Sequence, residues 1–413
     1  MAKTCVIGDR CPMRSPPSVR SVLALMLSVV AVLLAVWIVI PAPNRLLLTL
    51  GVGAPEVSVW FMVLASGALM FALRDVRMRW SSRWAAIFAL SALVLSAIPF
   101  LRFRTHAKLA DTALRAALGE TYAATLSPIQ SALYRPQPLI VRDLFRGLRD
   151  PIVGVRITRN VAVVAPAGHQ LTLDVYQPPT KGPHPVLVQV YGGAWQRGEP
   201  SNSAEFASYI ASQGYVVFAV GYRHAPAVVF PAPVQDVQFM LSWIVAHATA
   251  WDSDATRMAI IGRSAGAHLA MMAAYADGAP NLRAVINYYG PVDLAEGYNH
   301  PPRPDPLRVR AVEEAFLGGT PDQMPDRYHA ASPITLVTRR MPPTLLVYGG
   351  RDHIVEPRFG SLLATRLRGT GTTVVHVEIP WAEHAFDGVP HGPSNQLALY
   401  VTERFLAWAM SAR

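Results

Sequence analysis

Three short motifs in this chain hold residues whose types and spacing carry chemistry. Gly262-Arg263-Ser264-Ala265-Gly266 reads G-x-S-x-G, the pattern of a sharp turn that lifts a serine hydroxyl over a helix N-terminus. Glycines at both ends leave the space such a turn needs. A hydroxyl is a weak nucleophile until a base takes its proton, and the base must itself be oriented by a third group. Two later motifs supply such groups in the order serine, acid, histidine. Asp352 follows Gly349-Gly350-Arg351, and His384 lies in Trp381-Ala382-Glu383-His384-Ala385-Phe386. Asp387 and Glu356 compete with Asp352 for the acid's place, and His353 competes with His384.

An acyl-transfer intermediate also needs donors for its oxyanion. One donor would be the N–H of Ala265, next after the serine. The others would come from the loop Tyr191-Gly192-Gly193-Ala194-Trp195, where glycines let backbone approach a substrate closely. Gly192, Gly193, Ala194 and Ala265 are therefore the oxyanion candidates, and Trp195 is the candidate wall of a substrate pocket. The segment Glu296 to Arg327 is the candidate cap over it. No histidine, cysteine or acidic cluster has metal-ligand spacing, so neither metal nor cofactor is expected.

These residues need a frame that brings them to one rim. The texture from Val153 onward predicts one. Val155–Val164 and Leu171–Tyr176 alternate around a turn at Ala167-Gly168, a hairpin pattern. Short apolar runs then alternate with helical patterns: Pro185–Val190, Tyr215–Val220, Met258–Ile261, Leu282–Tyr288, Thr344–Tyr348 and Val374–Ile379. Such alternation predicts an α/β domain with a mostly parallel sheet covered on both faces. Sites in such sheets lie beyond the carboxyl ends of the strands, and each motif above directly follows one of these runs.

From about Val161 to the C-terminus the chain resembles the hormone-sensitive-lipase-like branch of the α/β-hydrolases. Those enzymes carry His-Gly-Gly-Gly-Phe/Trp where this chain has Tyr191 to Trp195. Their Asp-Tyr-Arg-Leu-Ala-Pro, followed by Phe-Pro, is similar to Gly221-Tyr222-Arg223-His224-Ala225-Pro226 and Phe230-Pro231. Their Gly-Asp-Ser-Ala-Gly-Gly-Asn-Leu-Ala is similar to the run from Gly262 to Ala270. The resemblance implies a serine esterase with catalytic Ser264, Asp352 and His384, and with Gly193, Ala194 and Ala265 donating to the oxyanion. Tyr191 stands where the family has His, and Ala194 where it has Gly. Membrane-anchored prenylcysteine methylesterases look similar in layout, and kynurenine formamidases share the loop and elbow style. An amidase or peptidase of the same fold and a non-catalytic membrane-anchored binding domain are the rival readings.

The N-terminal part has a different composition. Hydrophobic residues make up 52% of the 413 residues and mean hydropathy is +0.26, yet the region after residue 153 reads as an ordinary water-soluble domain. The excess lies in Val22–Ile40, Val57–Leu73 and Trp84–Leu101, each near the length that spans ~30 Å of hydrocarbon. None carries an interior charge. The expectation is an anchor of about three transmembrane helices over residues 1–104, a helical linker over 105–152 and a catalytic domain over 153–413. In the linker, Leu109, Leu114, Ala117 and Leu118 repeat at helical spacing before Pro128, Pro136 and Pro138 break the pattern. A cleaved signal peptide is the competing reading of the first stretch.

The net charge of +10 sits largely in runs beside the apolar stretches: Lys3, Arg10, Arg14, Arg20; Arg74, Arg77, Arg79, Arg83; and Arg102, Arg104, Lys108. Placed there, the charges read as topology signals and lipid-headgroup contacts. No basic helix or aromatic-basic interleaving points to nucleic acid. The first two runs, on the cytoplasmic side, put a C-terminal domain after three spans outside the cytoplasm. The third run opposes that placement. Cys5 and Cys11 both precede the first apolar stretch, so the folded domain has no internal disulfide. The expected partners are a small-molecule or lipid ester and the membrane lipids around the anchor.

Overall fold

The computed structural model describes residues 19–74, 80–125, 133–145, 154–166 and 168–411. Lys3, Arg10, Arg14, Cys5, Cys11, Arg77, Arg79, Pro128, Val153 and Ala167 lie outside the described residues. The chain divides into two compact units. One comprises residues 1–39 and 58–97, the other 40–57 and 98–413.

The first unit is built from α1 (Val19–Ala35), α3 (Ser58–Leu73) and the first part of α4 (Trp80–Leu118). α2 (Arg45–Glu56) lies between α1 and α3 in sequence and belongs to the second unit. In the first unit the small residues are inside: Ala24, Ala31, Ala65, Ala72 and Ala85 are buried. Leu23, Met26, Leu33, Trp60 and Leu90 are exposed. Small side chains let helix backbones approach closely, as they do where lipid is the solvent. Val19–Ile38 and Trp80–Leu118 are each long and apolar enough to cross a membrane. Arg45–Glu56 and Ser58–Leu73 add a third span if the pair, broken at Val57, counts as one.

α4 differs from the separate span and linker helix expected from the sequence. It runs unbroken for 39 residues, about 58 Å at 1.5 Å per residue. Arg102, Arg104 and Lys108 end the apolar stretch without ending the helix, because Arg and Lys are good helix formers. Hydropathy changes there while backbone preference does not.

The second unit holds an eight-stranded sheet in the order β1-β2-β4-β3-β5-β6-β7-β8. Its strands are β1 (Arg156–Val164), β2 (Gln170–Gln177), β3 (His184–Val190), β4 (Val216–Val220), β5 (Ser253–Arg263), β6 (Ala284–Tyr288), β7 (Thr344–Gly349) and β8 (Val374–Ile379). β1 pairs antiparallel with β2, and β2 with β4. All other pairings are parallel. The hairpin and the six apolar runs appear as expected. β4 and β6 are buried at every position, which explains why they read as apolar runs rather than alternating ones.

Helices cover the sheet. α5 (Ala204–Ser212), α6 (Ala232–His247), α7 (Ala265–Tyr275), α11 (Arg358–Gly369) and α12 (Pro393–Met410) follow the strand ends. Between β6 and β7 lie α8 (Leu294–Asn299), α9 (Val309–Leu317) and α10 (Pro325–Ala330), the segment expected to form the cap. α7 is buried along its whole length. Its Ala and Gly residues let it lie close to β3, β5 and β6. A helix apolar all round belongs in such an interior position.

Candidate active site

Ser264 sits between β5 and α7 with φ 52° and ψ −125°. Backbone strain of this kind is held only where surroundings over-determine it, and several contacts do so. The Ser264 N–H donates to the Tyr288 carbonyl at 2.9 Å. Its own carbonyl accepts from the N–H groups of Ala267 at 2.9 Å and His268 at 3.0 Å. A Cβ on Gly266 would lie 2.2 Å from the Tyr191 carbonyl oxygen, and one on Gly262 2.3 Å from that of Gly266. The two glycines of the motif are therefore sterically required.

The serine, acid and histidine converge. His384 Nε2 lies 2.9 Å from Ser264 Oγ, and His384 Nδ1 lies 2.7 Å from Asp352 Oδ2. The other Asp352 oxygen accepts the N–H groups of Ile354 and Val355, each at 2.8 Å. Asp352 is buried, and burial pushes its carboxyl above the ordinary carboxylate value. The His384 imidazole and the backbone donor at Val355 pull in the opposite direction. The arrangement fixes the imidazole by Nδ1–H and leaves Nε2 facing the hydroxyl.

The rival residues are engaged elsewhere. His353 Nδ1 binds Glu383 Oε2 at 2.6 Å. Arg358 Nε donates to Glu356 Oε2 at 2.7 Å near the surface. Asp387 accepts from the Arg263 guanidinium and the Tyr289 hydroxyl. That last cluster has its own role beside the histidine. The Tyr289 ring lies 4.6 Å from the His384 ring, while Arg263 rests over Phe206 at 4.3 Å. Buried Arg263 and Asp387 neutralise each other and hold Tyr289 against the imidazole face. Sequence reading missed this cluster. Its one signal was the arginine at the second position of the serine motif, where the family has Asp.

The loop after β3 turns tightly. Gly193, Ala194 and Trp195 all have positive φ, at 140°, 56° and 59°. Among the described backbone hydrogen bonds none uses the N–H of Gly193 or Ala194. The N–H of Ala265 is one of the orphan donors of a helix start. Tyr191, at the position where the family has His, braces this loop. Its hydroxyl is hydrogen-bonded to His224 Nε2 at 2.9 Å, and its ring stacks on Tyr222 at 4.5 Å. Burial pushes the Tyr191 hydroxyl up to about 12 and the His224 imidazole down, so both are neutral near pH 7. Arg223, the arginine of the second motif, forms a two-pronged pair with buried Asp236.

Trp195 is buried and stacks on Phe316 of α9 at 4.4 Å. Its indole N–H donates to His268 Nδ1 at 3.2 Å, and His268 Nε2 reaches the Ala331 carbonyl at 2.7 Å. Complete burial lowers His268 to about 4. A neutral ring that accepts at Nδ1 and donates at Nε2 satisfies both contacts.

Two cavities meet at Ser264. The smaller, about 50 Å³, is lined by Ala194, Trp195, Ala265 and residues of the 297–313 segment. The larger, about 680 Å³, is lined by Gly192, Gly193, Ala194 and His384. It also takes in Arg45, Leu48 and Thr49 of α2, which sequence reading assigned to no site. No group of metal-ligating side chains occurs among the described residues.

The BD-FAE family model matches residues 173–367. Esterase LipC of Mycobacterium tuberculosis is 32% identical over 255 residues, covering 56% of this chain and 62% of LipC. A probable isoprenylcysteine alpha-carbonyl methylesterase of Arabidopsis thaliana is 25% identical, covering 48% of this chain and 45% of that protein. The structure of a bacterial heroin esterase is similar with a TM-score of 0.56 at 25% identity, covering 70% of this chain and 99% of that one. The chain spans less than two thirds of the length of the curated relatives matched first.

Proposed function

We propose that the chain is an α/β-hydrolase and that it hydrolyses carboxylic esters through an acyl-enzyme on Ser264. The observation that carries this reading is the hydrogen-bond chain from Asp352 through His384 to Ser264, at 2.7 and 2.9 Å. His384 takes the hydroxyl proton as Ser264 Oγ attacks the ester carbonyl, then returns it to the departing alkoxide. Asp352 keeps the imidazole in the required tautomer and stabilises its cation. The N–H groups of Gly193, Ala194 and Ala265 receive the oxyanion, with Gly192 lending the loop its close approach. Water then repeats the steps on the acyl-enzyme. The esterases among the relatives support this activity.

We further propose that the apolar helices anchor the enzyme as a multi-pass membrane protein, with the catalytic domain outside the cytoplasm and lipid around α1, α3 and the first part of α4. Two helices of spanning length support the anchor.

The test is fluorophosphonate labelling of the full chain together with Ser264→Ala. Labelling is lost in the variant and turnover of 4-nitrophenyl acetate falls on the order of 10⁶-fold. Labelling that persists in Ser264→Ala would place the nucleophile elsewhere. Faster turnover of an anilide than of the matching ester would favour an amidase.

A further inference from the structure

The two cavities at Ser264 differ in more than size, and the proton path assigns each to one half of the substrate. In the proposed reaction His384 must reach the oxygen that leaves. The alcohol therefore occupies the cavity that His384 lines, and the acyl chain points away from the imidazole. The larger cavity touches both Ser264 and His384. The smaller touches Ser264 and Ala265 and is not lined by His384. We infer that the enzyme takes short-chain acyl esters of large, partly apolar alcohols, the acyl group in the cavity under α9 and the alcohol in the cavity walled by α2.

The volumes set the limits. The acyl side is narrow, at about 50 Å³, which suits an acyl group of a few carbons such as acetyl to butyryl. Trp195, Leu307, Val312 and Phe359 line the space. Trp195 is locked by Phe316 and His268, so enlargement would require the cap to repack. The alcohol side, at about 680 Å³, is more than ten times as large. Its walls include apolar Leu48, Phe206 and Leu399 beside polar Arg45 and Thr49, a lining suited to an amphiphile.

α2 is a built wall and not a passing helix. It starts at Asn44, whose side chain accepts the Leu47 N–H at 3.1 Å. It ends at buried Glu56, whose carboxyl oxygen accepts the N–H of Ser394 at 3.0 Å. Ser394 lies in the first turn of α12, whose leading N–H groups have no acceptor within the helix. Both ends of the 40–57 segment run directly into apolar helices in sequence, so the wall of the alcohol site is contributed by the part of the chain that joins them.

This inference rests on the hydrolase reading, and its test separates the two. The full chain in detergent is assayed on two series. In the first, 4-nitrophenyl esters carry acetyl, butyryl, octanoyl and dodecanoyl groups. In the second, acetate is esterified to methanol, octanol and hexadecanol. The expected result is a fall of at least a hundredfold in kcat/KM from butyryl to dodecanoyl, with hexadecyl acetate at least as good as methyl acetate. A dodecanoyl ester turned over as well as the acetyl ester would overturn the assignment, as would a tenfold preference for methyl over hexadecyl acetate. Val312→Ala should raise the octanoyl-to-acetyl ratio several-fold, and Leu48→Trp should lower the hexadecyl-to-methyl ratio about tenfold. Fluorophosphonate labelling reports whether each variant retains a folded, reactive site. Normal labelling with unchanged ratios in both variants sinks the assignment alone. No labelling and no ester turnover in the unaltered chain sinks the hydrolase reading and this inference with it.

Discussion

The two units of this protein bury opposite kinds of side chain. In the apolar unit Ala24, Ala31, Ala65 and Ala72 are inside while Leu23, Met26, Leu33 and Trp60 face out. In the sheet unit Leu187, Ile260, Phe218 and Tyr288 are fully buried. Water expels large apolar groups and so selects them for a core. Where the surroundings are themselves apolar there is no such expulsion, and close packing of small residues is what joins helices. Chemistry follows the same division. Charges and a strained serine are held in the sheet unit, where a dense core over-determines them.

If this division is right, loss of function and loss of stability should both depend on which unit is altered. After the nucleophile itself, the largest effect belongs to the acid. Asp352→Asn should lower kcat about 10⁴-fold by leaving the imidazole in the wrong tautomer, whereas Ser28→Ala in α1, whose hydroxyl only returns to the Leu25 carbonyl, should change kcat less than twofold. Steady-state kinetics on both variants makes the comparison, and equal losses would break it.

Next come the cores. Leu187→Ala, at a fully buried position of β3, should cost about 2–5 kcal/mol of stability. Leu33→Ala in α1, 60% exposed, should cost less than about 1 kcal/mol in detergent. Thermal unfolding followed by tryptophan fluorescence reads both.

The pH dependence is a similar or smaller effect and is confined to the sheet unit. His268 and His376 are each lowered to about 4, chiefly by burial. Both rings are neutral in the folded protein, while the unfolded chain takes up protons near 6.5. The folded state therefore loses stability as pH falls from about 6.5 towards 4, and is insensitive to these groups above 6.5. For His268 the loss is a few kcal/mol. His268→Gln should flatten this part of the profile in thermal unfolding at pH 7, 5.5 and 4.5. An unchanged slope would assign the acid sensitivity to other groups.

Local pattern made much of the fold legible. The six apolar runs became β3 to β8 because strands buried on both faces have no polar alternation to hide them. The serine motif was legible because only small residues permit its turn, and Gly262 and Gly266 do meet backbone where any Cβ would clash. The acid and base were legible as residues just past strand ends. By contrast α4 runs on past residue 104, where the apolar anchor was expected to end and the linker to begin, since charge ends a hydrophobic stretch without disfavouring helix.

What the sequence determined by itself was the order of elements and the candidate residues for acyl transfer. Those follow from short-range rules: hydrophobic period, turn sterics and the chemistry of each side chain. Only the tertiary structure decided which candidates meet, with His384 on Asp352 and Ser264 while His353 and Asp387 are bound elsewhere. It alone brought α2 to the wall of the large cavity and Tyr289 to the face of the imidazole. Contacts between residues a hundred or more positions apart depend on how whole layers pack, and no local pattern records that.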